Sequence, residues 1–137
     1  MTNKFVLENK VSSIKRYLQI LEKYKKLTKE EIVNDVNTKG AVERYLYLVT
    51  QSTIDLAEAV ISYKGYRKPT TFSESFTVLS ENELISHDLE SRLIKMSGFR
   101  NILAHGYEKI NYETLFEALK NSLKDIEEFI SIIEEIN

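Results

Sequence analysis

Apolar side chains return at helical intervals along almost the whole chain. Leu7, Val11, Ile14, Leu18 and Leu21 alternate steps of four and three, which predicts one buried helix face over roughly residues 4–26. In the following "TKEE", Thr28 and Glu31 have capping-box spacing, predicting a short helical turn that carries Ile32 and Val33. A second long stripe runs through Val42, Leu46, Val49, Thr53, Leu56, Val60 and Tyr63. Ala41, Tyr45, Leu48, Ala57 and Ile61 widen it until it can face two neighbours. Gly65 and Pro69 end that helix and make "YKGYRKPTTFSES" the one long loop expected. A third helix is expected to start at "SENE", with Ser80 and Glu83 as its capping box. It continues through Leu84, Leu89, Leu93, Met96 and Leu103 to a stop at Gly106. Asn111 caps the last helix, whose Tyr112, Phe116, Leu119, Leu123, Ile126, Ile130 and Ile133 form a regular heptad stripe.

Four to five amphipathic helices with short connections predict an all-α, up-and-down bundle forming a single domain over residues 1–137. A helix face left over after the core is built would serve a homodimer or a higher oligomer. Composition agrees, because four glycines and one proline in 137 residues leave little room for the tight turns of a β-rich fold. A net charge of −2 lacks the basic excess of most nucleic-acid binders, so any RNA contact must be local or created by assembly. Without cysteine and with two histidines, disulfides, thiolate zinc sites and cysteine nucleophiles are excluded, and neither metal nor cofactor is expected. The opening "MTNKFVLENKVSSIKRYL" carries charges every few residues, so neither a signal peptide nor a membrane span is expected and the location expected is cytoplasmic.

One stretch resists the core pattern. In "GFRNILAHGYEKIN", Arg100 falls on the same stripe as Leu89, Leu93, Met96 and Leu103. Such an arginine could snorkel or pair with a carboxylate such as Asp55. Asn101 and His105 lie four apart on one small, polar face with Ser97 and Gly98. Taken alone, His105 reads as a cation at a helix C-terminus, as His87 beside Asp88 reads as a structural histidine, and Tyr107 as a packed ring with a wet hydroxyl. Together, a guanidinium, an amide, an imidazole and a phenol within eight residues form a set suited to handling phosphate. Arg100 and His105 are separated by about 140° around a straight helix. Either the helix breaks near Ala104 or a second chain completes the site.

"RNILAHGY" resembles the R-x-x-x-x-H-x-Y signature of the HEPN superfamily, and the chain looks like the HepT group of minimal HEPN toxins over roughly residues 1–136. "AVERYLYLVTQSTIDLAEAVISYKG" is similar to that group's long second helix, and "INYETLFEALKNSLKDIEEFISIIEEI" to its closing helix. The resemblance implies the toxin of a type VII toxin–antitoxin pair, a metal-independent endoribonuclease whose dimer brings both motif copies into one cleft. Arg100 would then hold the scissile phosphate, His105 would move protons, and Asn101 would orient the phosphate or the imidazole. It also implies an antitoxin partner, a MntA-like minimal nucleotidyltransferase that silences the toxin by AMPylation of Tyr107. Asp55 is a supporting candidate, able to pair Arg100 or fix the His105 tautomer, and Lys64, Arg67 and Lys68 could steer RNA or the partner's nucleotide. A noncatalytic HEPN module that binds a nucleotidyltransferase partner or a nucleotide stays open beside the nuclease, because binding and cleaving phosphodiesters need overlapping chemistry.

Overall fold

Most helices of this protein begin where a side-chain oxygen can take over orphan backbone donors. In the computed structural model, which describes residues 2–105 and 111–136, α1 (Lys4–Glu22) is capped by Asn3 and α2 (Lys29–Val33) by Thr28. Both halves of the Thr28–Glu31 box form: the Glu31 amide donates to Thr28 at 3.1 Å and the Thr28 amide to Glu31 at 2.9 Å. Asp35 opens α3 (Val36–Lys64) by accepting from the amides of Asn37 and Thr38, and those bonds hold its carboxyl below the usual range. Gly65, with φ of 70°, closes α3 in the left-handed conformation that its spacing predicts.

The largest departure from the sequence pattern comes next. Inside the expected loop, Thr71 caps a helix α4 (Phe72–Glu81) whose Phe76, Val78 and Leu79 are buried. The Ser80–Glu83 capping box does not form. Ser80 lies in the last turn of α4 and its hydroxyl meets His87 Nδ1 at 3.0 Å, while Glu83 turns left-handed at φ 59°. Ser86 is the cap of α5 (His87–Ser97), accepting from the Leu89 amide at 3.1 Å. A single residue, Gly98, separates α5 from α6 (Phe99–His105). Asn111 caps α7 (Tyr112–Glu117), as its spacing predicts. Residues Ala118–Ser122 then take the wider π-helical turn before α8 (Leu123–Glu134).

The architecture is all-α among the described residues. The long α3 is central, with α1, α2, α4, α5 and α6 all packed against it, and α8 closes the bundle against α1 and α5. Leu7, Val11, Ile14, Leu18 and Leu21 of α1 are all buried, as are Leu119, Leu123, Ile126, Ile130 and Ile133 of the last stripe. Phe76 of α4 meets Phe129 of α8 edge-on, centroids 5.9 Å apart, and both are fully buried. Truncating either ring to alanine would cost about 3–5 kcal/mol and loosen α4, which lines the site described next. No helix among the described residues is long and apolar enough to cross a membrane.

Candidate functional site

The motif helix is interrupted upstream of the expected place. Ser97 folds its hydroxyl back onto the Ile94 carbonyl at 2.7 Å, and the Gly98 amide is shared between the carbonyls of Ile94 and Lys95 at 3.3 and 3.2 Å. A Cβ at Gly98 would sit 3.2 Å from the Lys95 oxygen, so this tightened turn suits a residue without one. Downstream, α6 stays helical from Phe99 to His105 and does not break at Ala104. His105 closes α6; its side chain, with Gly106 and the Tyr107 proposed for modification, lies outside the described residues.

Arg100, half-buried, points from α6 to α3 and α4. Its Nε donates to Gln51 Oε1, its Nη1 to Asn101 Oδ1 at 2.9 Å, and its guanidinium carbon stands 4.8 Å from the centre of the Phe72 ring. Gln51 in turn donates from Nε2 to Asp55 Oδ1 at 2.9 Å. The two ends fix the amide's orientation, because an ionised carboxylate can only accept and a guanidinium only donate. Gln51 and Asp55 are four apart on α3, which puts them on one face as i and i+4 neighbours. The structure therefore replaces the expected Arg100–Asp55 pair with a three-member chain in which a neutral amide separates the charges. Asn101 gives its carbonyl oxygen to the guanidinium, a bond that does not use the other end of its amide.

Asp55 borders an open groove of about 300 Å³ between α1 and α3, lined by Asn9, Lys10, Ser13, Tyr17 and Ser52. Next to it, burial and then the Asp55 charge push the Glu58 carboxyl above its ordinary range, with Lys10 opposing. The basic run behaves differently from its reading as a set of steering cations. Arg67 Nε and Nη2 donate to both oxygens of Glu81 at 2.9 and 2.7 Å, and Nη1 donates to Glu74 at 2.5 Å. Its charge is taken up in clasping the loop to α4, while Lys64 and Lys68 remain exposed. His87 has the structural role read for it, with Nδ1 near Ser80 and 3.3 Å from Glu90. Burial raises the Glu90 carboxyl, but hydrogen bonds from Ser80, Thr77 and His87 outweigh it and the net shift is downward.

Sequence reasoning missed Gln51 and Phe72. Neither carries a spacing signal; both reach Arg100 only through the packing of α3 and α4 against α6.

Known proteins share this arrangement of helices. The chain is 28% identical over 129 residues to the mRNA nuclease HepT of Shewanella oneidensis, covering 94% of this chain and 96% of that one. It is 27% identical over 139 residues to the tRNA nuclease HepT of Aphanizomenon flos-aquae, covering 96% and 95%. The solved structure of the tri-AMPylated Shewanella oneidensis HEPN toxin in complex with its MNT antitoxin superposes with a TM-score of 0.87 at 28% identity, over 98% of this chain and 99% of that one. With residues 14–133 matching the model for HepT-like ribonucleases, the chain belongs to the HepT-like family.

Proposed function

We propose that this protein is the toxin of a HepT/MntA-type pair: a metal-independent endoribonuclease whose site is shared by two protomers and silenced by AMPylation of Tyr107. The observation that carries the reading is the setting of Arg100. Among the described residues its partners are an amide, a second amide and an aromatic ring, all uncharged. The side chain is aimed by neutral groups while its positive charge stays available for an anion, and a rigid, always-ionised fork matches the oxygens of a phosphodiester.

In the proposed mechanism Arg100 holds the scissile phosphate and stabilises the charge growing on its oxygens. His105 takes the 2′-hydroxyl proton, the 2′-oxygen attacks phosphorus, the bond from phosphorus to the 5′-oxygen breaks, and the imidazolium returns its proton to that leaving oxygen. The products are a 2′,3′-cyclic phosphate and a 5′-hydroxyl. Because α6 is helical from Phe99 through His105, the positions of Arg100 and His105 diverge by about 140° on one axis. That divergence supports a site in which one protomer's arginine works with its partner's histidine. The names of the relatives support both halves of the proposal, an RNA nuclease and an AMPylated toxin held by an antitoxin. Phosphodiester anions added at Tyr107, two residues beyond His105, would fill the phosphate site and repel RNA.

The test is cleavage of RNA in chelator. The native protein cleaves and leaves cyclic-phosphate ends, whereas Arg100→Ala and His105→Ala abolish cleavage and keep native melting curves. Activity restored on mixing the two inactive variants would bear out the shared site. Cleavage that chelator stops, or that survives both substitutions, contradicts the proposal. Co-expression with a MntA-type nucleotidyltransferase adds the mass of AMP at Tyr107, and an unchanged mass with an active transferase removes the modification from the reading.

A further inference from the structure

Phe72 is one of the few large apolar side chains left exposed, at 43%, and it is the one that touches Arg100. Exposure alone would make it an ordinary surface residue. Its surroundings, however, are built to hold it still. Phe72 is the first residue of α4, directly after the cap Thr71, whose hydroxyl accepts from the Glu74 amide at 3.1 Å. Thr70 donates to Glu74 at 2.7 Å, and Arg67 ties the preceding loop to both Glu74 and Glu81. On the other side, Ser73 and Ser97 bring their hydroxyls to 3.4 Å, fixing the start of α4 to the end of α5 just before the Gly98 turn. The backbone that carries the ring is thus anchored on both sides, and the ring itself is wet and lies against Arg100.

We propose that Phe72 is a stacking platform for a nucleobase of single-stranded RNA, next to the phosphate held by Arg100. This inference rests on the nuclease reading and adds a base-binding element to it. A ring 4.8 Å from the guanidinium carbon lies within one nucleotide's reach of a phosphate on that guanidinium. Flat aromatic faces are how proteins hold unpaired bases, and the contact tolerates any base because each has a π-face. The guanidinium against the ring adds a cationic edge to the platform, which favours a polarisable base beside a phosphate. A ring on an anchored helix start leaves less backbone freedom to be lost on binding than an equally exposed ring on a mobile loop.

Binding of a single-stranded RNA oligonucleotide containing 2-aminopurine to the His105→Ala protein separates the possibilities, since stacking quenches that base's fluorescence. Adding Phe72→Ala weakens binding by about 5- to 150-fold and abolishes the quench. Phe72→Trp restores binding to within about threefold, and Phe72→Leu does not. Leucine restoring affinity as well as tryptophan, or alanine binding like the parent, overturns the platform. So does a change in oligomer mass on Phe72→Ala, which would make the ring a subunit contact. Cleavage of the same RNA by the native protein is followed in parallel. If the native protein cleaves while Phe72→Ala binds normally, only the platform falls; if it neither cleaves nor binds RNA, the nuclease reading falls with it.

Discussion

Arg92 and Arg100 lie eight residues apart on consecutive helices and have opposite surroundings. Arg92 is shared among three carboxylates: Nε donates to Asp88 at 3.0 Å, Nη1 to Asp125 at 2.6 Å, and Nη2 reaches Glu128 at 3.2 Å. Asp125, more than any other partner, fastens its proton more tightly than in water. Arg92 joins α5 to α8, and its charge is consumed in doing so. Among the described residues Arg100 is held by Gln51, Asn101 and Phe72, which orient a charge without neutralising it. The same residue type is neutralised in one place and surrounded by neutral groups in the other, and the second setting is the one that the proposed phosphate-holding role requires.

That contrast can be erased by one substitution. Gln51→Glu gives Arg100 a carboxylate partner of the kind Arg92 has, and sets it against Asp55. Cleavage should slow by about 10- to 100-fold with the melting temperature nearly unchanged, because both the aim and the availability of the guanidinium are altered. Activity at the native level would show that neutral surroundings are not what matters. Gln51→Leu removes the link without adding charge; about a tenfold loss is expected, falling on kcat more than on KM, as for a residue that acts through the aim of Arg100. A loss confined to KM would instead make Gln51 a substrate contact. The fastener responds in the opposite currency: Asp125→Asn should lower the melting temperature by about 3 °C and leave kcat alone.

The smallest effect concerns Arg67, a second fastener. It holds the carboxyls of Glu74 and Glu81 below their ordinary value of 4.5. Groups with depressed folded values stabilise above the unfolded value, and the contribution disappears as pH falls through the folded one. The stability difference between native protein and Arg67→Ala should therefore be full at neutral pH and shrink below about pH 4 in denaturant titrations. A difference that grows on acidification would contradict the clasp.

Much of this was legible in the sequence, and the exceptions have physical reasons. The stripes of α1, α3 and α8 are long, so their periodicity overrides noise, and the caps at Thr28 and Asn111 and the stop at Gly65 act within four residues of themselves. Helix α4 was hidden because Gly65, Pro69 and a polar run precede a stripe of only ten residues. Ser80 and Glu83 had the right spacing for a box, yet a box needs the chain to enter a helix there, and Leu79 was already buried at the end of one. At the site, Arg100 stood out by interrupting a stripe. Gln51 did not, since a glutamine on a wide helix face is unremarkable until the fold brings α6 to it from 49 residues away.

The π-helical turn at Ala118–Ser122 bears on how the family's chains can differ in length. A wider turn takes up a residue that an α-turn would have no room for, so the helical faces before and after it both remain on the core. Loss of one residue within that turn exchanges the wider hydrogen-bonding pattern for the α pattern and leaves Leu115 and Ile126 facing inward. The same change inside α8 would rotate everything after it by about 100° and carry Ile130 and Ile133 into water. A single-residue deletion in this closing helix should therefore be tolerated best at that one turn, which works as the expansion joint of an otherwise strictly phased rod.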